Sequence, residues 1–168
     1  MADGLAVVDA ILGGYRRELG ADFEGYRNHA SRVFLRCCAI LGESDAASVE
    51  KIAIAAALHD LAIWTERTWD YLLPSCLLAR RYLAQTGCGD WAGDIEAMIA
   101  WHHKLTPCRR FGALAEAFRR ADWRDVLLLP LPGTHPALPN AGFHLRLAQL
   151  TWNWWKRHPL DTLPMLRW

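Results

Sequence analysis

Four short stretches of this 168-residue chain set ionisable side chains on or beside apolar helical stripes. In YRNHASRVF, His29 follows Tyr26 by three residues and precedes Val33 by four, so it borders the inward face of its helix. In ALHDLAIW, His59 and Asp60 end a run of small apolar residues. In FRRADWRDV, Asp122 follows Phe118 by four and Asp125 follows Ala121 by four, which puts both carboxylates toward the buried side. In AWHHKLT, His102 follows Met98 by four and Ile99 by three and so points inward, with His103 alongside. An unpaired buried carboxylate is costly and needs a cation close by. Arg119 and Arg124 are near Asp122 and Asp125 in sequence, but their side chains start on other faces. Singly, each residue has an ordinary role: a core histidine with a hydrogen-bond partner, an aspartate capping a helix, two aspartates in ion pairs. The set formed by His29, His59–Asp60 and Asp122, spread over three helices, asks for a joint explanation.

The elements that must position these residues are helical throughout. A first helix is expected over residues 4 to 19. A second starts near Phe23, carries the stripe Tyr26, Ala30, Val33, Phe34, Cys37 and Leu41, and stops at Gly42. Ser44 or Asp45 caps a third, whose stripe Val49, Ile52, Ala53 and Ala56 leads into the His59–Asp60 doublet. A fourth starts at Pro74 and ends at Gly87, and Asp90 caps a fifth that carries Trp91, Ile95, Met98, Ile99 and His102. A sixth holds Leu114, Phe118 and Ala121; PLPGTHPALPN, 130 to 140, is a loop; a last helix runs from Gly142 to Arg157. The expectation is a single all-α domain over 1–168, a bundle of about six or seven helices, with its polar core in about 20–130 and a C-terminal helix and aromatic tail over 142–168.

Composition narrows the function classes. Hydrophobic residues make up 52% and charged residues 22%, as in a soluble globular chain. A net charge of +1 gives no field that would gather a nucleic-acid polymer. MADGLAVVDA has no basic region before an apolar run, so no signal peptide is expected, and no apolar run is long enough to enter a membrane as a span. Five cysteines, an odd number without a CxxC, fit a reduced, cytoplasmic chain.

The histidine, the His-Asp doublet and the later aspartate resemble the HD-domain superfamily of metal-dependent phosphohydrolases, over roughly residues 20 to 130. The resemblance implies an all-α fold in which His29, His59, Asp60 and Asp122 hold one divalent transition-metal ion. Two imidazoles and two carboxylates suit Mn²⁺, Fe²⁺, Co²⁺, Ni²⁺ or Zn²⁺ better than Mg²⁺. Such an ion would neutralise the buried carboxylates, acidify a bound water and polarise a phosphoryl oxygen. Arg32, one turn after His29, and Lys104 become candidates for holding phosphate, and His102 and His103 for lining the pocket or binding a second metal. His102 could equally cap its own helix.

Two positions depart from the superfamily pattern. Several nucleotide-cleaving members have a glutamate three residues after the doublet, where this chain has Ile63. Glu66, Asp70 and Asp125 are then the candidates for proton transfer. No histidine lies between His59 and His102, so one metal is expected over two. The implied activity is hydrolysis of a phosphate ester of a nucleotide or other small phosphorylated metabolite. A diiron oxygenase and a non-catalytic binding module are the alternatives.

Nine tryptophans are many for this length, and TWNWWKRH puts Trp152 and Trp155 on one helix face. They are expected to fill the outside of the core, with the tail ending at Trp168 packed across it. A self-association surface, and hence a homodimer, is the second reading, ahead of a membrane surface.

Overall fold

The computed structural model describes residues 2–127, 138 and 142–158. Most of the expected 130–140 loop and the tail after His158, Trp168 included, lie outside the described residues. Within them the chain is all-α, with seven helices of ten or more residues and no strand. These are α1 (Ala2–Gly13), α2 (Phe23–Leu41), α3 (Ala46–Leu58), α4 (Leu72–Thr86), α5 (Ala92–Trp101), α6 (Ala113–Val126) and α7 (Phe143–Arg157). None is long and apolar enough to cross a membrane.

Local chemistry sets most boundaries. Asp45 is the N-cap of α3, and its Oδ1 accepts the Ser48 N–H at 2.7 Å. Gly42 stops α2 at φ 77° with its N–H on the Cys38 carbonyl, and Gly87 stops α4 in the left-handed region. The expected helix over 4–19 is broken. Gly13 and Gly14 let the chain turn after α1, and only a single turn, Arg16–Leu19, resumes before α2. Asp90 does not cap α5. It sits inside a 3₁₀ turn, Gly89–Trp91, that leads into the helix. Helix α4 starts two residues before Pro74, which falls in its first turn, where a missing N–H costs nothing.

Helix α3 runs through the middle. Ile52 to Leu58 are buried on every side, and the alanines among them let α1, α2 and α5 approach closely. Helix α2 lies along α6 and against α3, while α5 bridges α3 and α6. The four elements that carry the ionisable residues therefore surround one point. On α7, Leu147, Leu150 and Trp154 pack on the core. Trp152 and Trp155 instead stack on each other at the surface, 54% and 41% exposed. The expectation that they fill the core is corrected: the helical register that turns Trp154 inward turns them out.

Candidate metal centre

The turn that ends α3 delivers the doublet. The Tyr26 hydroxyl, from α2, donates to the Ala57 carbonyl at 3.1 Å and accepts the Asp60 N–H at 3.2 Å. This phenol holds His59 and Asp60 where the helix unwinds. His29 reaches the same point from α2 and Asp122 from α6, and His102 and His103 follow the last residue of α5. His29, His59, Asp60, His102 and Asp122 are all 2% exposed or less.

The four expected ligands converge. His29 Nε2 is 3.1 Å from His59 Nε2, 3.6 Å from Asp122 Oδ1 and 3.9 Å from Asp60 Oδ2. His59 Nε2 is 3.3 Å from Asp60 Oδ2 and 3.8 Å from Asp122 Oδ1. Ligands about 2.1 Å from one ion stand about 3.0 Å apart when adjacent and about 4.2 Å apart when opposite, so the spacings among His29, His59 and Asp122 fit a shared ion, while Asp60 groups most closely with His59 and His102.

The hydrogen bonds on the outer ring nitrogens sharpen this. Nδ1 of His59 faces the Ala56 carbonyl at 2.9 Å, and Nδ1 of His102 faces the Ile99 carbonyl at 2.6 Å. A carbonyl only accepts, so both Nδ1 atoms carry hydrogen. Nδ1 of His29 faces the Asp125 carboxylate at 2.8 Å and donates likewise. All three rings thus present Nε2 inward, toward carboxylate oxygens and toward each other. His102 Nε2 and Asp60 Oδ1 sit 3.3 Å apart without the alignment of a hydrogen bond, and both are buried with no hydrogen-bond partner. Buried carboxylates and imidazole nitrogens facing one another are repulsive until a cation, either a proton or a metal ion, sits among them. Here the residues fit a divalent metal.

Protonation states carry the same message. Burial opposes a charge on His59, yet Asp60 and Asp122 beside it raise its pKa to about 9. Burial also works against the Asp60 carboxylate, but His59 and His102 hold it well below the usual range. Asp122 is pushed up by burial, only partly offset by the histidines. Burial and the neighbouring His102 push His103 well below the ordinary histidine value.

A second donor group overlaps the first. His102, His103 and Asp122 bring one ligand atom each within 4.8 Å of one another, as do His59, Asp60 and His102. His103 Nε2 is 4.0 Å from Asp60 Oδ1 and touches the Tyr71 hydroxyl. With 22% of its side chain exposed, His103 is the most exposed of the four imidazoles at the centre. His102 does cap its helix, through Nδ1, and still offers Nε2 to the site.

The other expected site residues fall elsewhere. Arg32 does not reach toward an open phosphate position; its Nε and Nη2 donate to Asp125 at 2.7 and 2.8 Å. Asp125 in turn receives His29, Arg32, Arg36 Nε at 3.3 Å and His144 Nε2 at 3.2 Å. Burial notwithstanding, hydrogen bonds from His144, His29 and Arg32 hold its carboxyl well below the usual range, so it is a poor proton acceptor. Glu66 and Asp70 are surface residues: Glu66 ends the single turn Ala62–Thr65, and the Asp70 N–H bonds the Thr68 hydroxyl. Lys104 Nζ lies over the Trp101 ring at 5.5 Å. Ile63 is buried and lines a cleft of about 290 Å³ with Trp64, Arg67, Arg146 and Trp154. Tyr26, Tyr71, Arg36 and His144 belong to the site and carry no signal in the sequence beyond apolar spacing or general abundance.

The segment that follows the histidine pair is tied to α6. Arg119 and Trp123 donate to the Lys104 carbonyl, and Glu116 accepts the Cys108 N–H at 2.9 Å and pairs with Arg119. The Arg119 hydrogen bond lowers the Glu116 pKa to about 2 from 4.5. A depressed carboxyl pKa stabilises the fold above the unfolded value and ceases to do so as pH falls through the folded one. Glu116→Gln should therefore cost on the order of 2 kcal/mol at neutral pH. Thermal melts of variant and wild type should converge as the pH is lowered from about 4.5 to about 2.

Comparison of the chain with protein-family models, with curated proteins and with solved structures finds no match.

Proposed function

We propose that this chain is a metal-dependent phosphohydrolase of the HD type, acting on a phosphate ester of a small metabolite, nucleotides included. One observation carries the reading: three imidazoles whose Nδ1 atoms are held by carbonyls or a carboxylate turn Nε2 toward two buried carboxylates, and His102 Nε2 and Asp60 Oδ1 are left there without a hydrogen-bond partner. His29, His59, Asp60 and Asp122 would hold the ion, and when bound it acidifies a water and polarises a phosphoryl oxygen.

The chain's own residues supply the rest. His103 is neutral at physiological pH, lies at the solvent-facing edge and accepts the proton of the attacking water. The Tyr71 phenol, kept neutral by burial and the nearby Asp60, fixes the His103 ring. The helices exclude bulk water from the other sides, which strengthens every charge interaction inside. The five cysteines are free thiols, consistent with a reducing cytoplasm. The overlapping group of His102, His103 and Asp122 favours a second reading, a two-ion centre and with it an oxygenase.

The test is to strip the protein with chelator and reload it separately with Mn²⁺, Fe²⁺, Co²⁺, Ni²⁺ and Zn²⁺. Phosphate release is then measured over a broad phosphoester panel. Release that appears with metal and vanishes on chelation is expected. Two irons per chain with oxygen-dependent turnover would displace the hydrolase, and no release with any metal would refute it.

A further inference from the structure

The strongest polar cluster outside the four ligands is centred on Asp125. Its carboxylate, on α6, is 1% exposed and is met by side chains from two other helices at once. From α2 come hydrogen bonds of His29 Nδ1 at 2.8 Å and Arg32 Nε and Nη2 at 2.7 and 2.8 Å, and an ion pair with Arg36, whose Nε stands 3.3 Å away. From α7 comes His144 Nε2 at 3.2 Å. Beside His144, the Phe143 ring stacks on His29 at a centroid distance of 5.0 Å. Gly25 makes room for it: a Cβ there would stand 3.1 Å from the Phe143 ring.

We propose that Asp125 is the positioning residue of the metal centre, and that α7 completes the centre by holding Asp125 with His144 and covering His29 with Phe143. This rests on the metal reading above. The reasoning is one of proton placement. A neutral imidazole carries one N–H, and whichever nitrogen carries it cannot bind metal. An ionised carboxylate can only accept, so Asp125 fixes the hydrogen of His29 on Nδ1 and frees Nε2. Arg32 meets the same buried carboxylate with two N–H donors, so the carboxylate enters the cluster as an acceptor on both oxygens. His29 alone among the three inward-facing rings draws this constraint from a side chain; His59 and His102 draw theirs from backbone carbonyls of their own helices. Its geometry thus depends on tertiary contacts that reach as far as residue 144. Asp125 is not a catalytic residue in this arrangement, because it touches neither substrate nor ion.

Long-range ¹⁵N–¹H spectra of the histidine side chains, recorded under alkaline conditions and assigned with His29→Ala, test the proposal without turnover. Wild-type protein should show His29 with its hydrogen on Nδ1, with and without Zn²⁺. In Asp125→Asn the amide can donate to Nδ1, so His29 should move toward the Nε2–H form, and Zn²⁺ affinity by competition titration should fall about 10- to 100-fold. His144→Ala is the milder variant should Asp125→Asn fail to fold. It should keep the Nδ1–H form and weaken Zn²⁺ several-fold. A wild-type His29 found in the Nε2–H form, or foldable variants that bind Zn²⁺ as tightly as wild type, overturns the proposal. Wild-type protein that takes up no Zn²⁺ at all defeats the metal reading instead, and the His29 tautomer in wild type and Asp125→Asn still decides the positioning role.

Discussion

Asp60→Ala is expected to leave the protein without bound metal and without phosphoesterase turnover. Asp60 is the carboxylate that stands against all four imidazoles: Oδ2 faces His59 and His29, while Oδ1 faces His102 and His103. Its removal takes away one of the two carboxylates and leaves Asp122 alone to offset the charge of a cation. Metal content by elemental analysis should drop from about one ion per chain to background. A thermal readout separates this from unfolding. Metal at 100 times its dissociation constant stabilises a folded protein by about 2.7 kcal/mol, worth about 5–10 °C for a chain of this size. Wild type should show that rise on adding metal, and Asp60→Ala should melt cooperatively with none. The helices around the site are held by their own apolar contacts, with Ile52, Leu58, Ile95, Met98 and Phe118 all buried, so the variant retains its fold. Full metal content in the variant would mean that the ion sits elsewhere.

The sequence displays the candidate ligands for a simple reason. Helical spacing fixes which face a residue occupies, so His29, Asp122 and Asp125 could be placed beside buried stripes before any tertiary contact was known. Spacing does not say what stands opposite. Arg32 and Asp125 are 93 residues apart, and each lies at a position suited to a phosphate or a proton; only the packing of α2 along α6 shows that they satisfy one another. Tyr26 occupies an apolar stripe, and nothing local distinguishes its phenol as the clamp on the doublet. His144 lies beyond the 130–140 segment, and its role follows wholly from the docking of α7 onto α2. The same limit applies to the tryptophans: aromatic content marks a helix as amphipathic, but whether Trp152 or Trp154 faces inward depends on a rotation that the pattern WNWW leaves open.

His103→Ala should separate metal binding from proton transfer. The ring lies at the rim, its Nε2 against Tyr71 and 4.0 Å from Asp60, and it is not one of the four convergent ligands. Metal content should stay near the wild-type value while kcat falls by about 10²–10⁴, the usual contribution of a placed base, with little change in KM. The pH profile supplies the sign. Burial and His102 lower the His103 pKa below 6.5, so the base form prevails at neutral pH and is lost only under acid conditions. Wild-type kcat should therefore rise with pH along an acidic limb and level off before neutrality, and His103→Ala should lack that limb. His102→Ala is the contrasting variant: its Nε2 is fully buried and faces Asp60 Oδ1, so any loss there should come with weakened metal binding. If His103→Ala loses metal in parallel with activity, the residue belongs to the ligand set. A two-ion centre built on His102, His103 and Asp122 then becomes the better description.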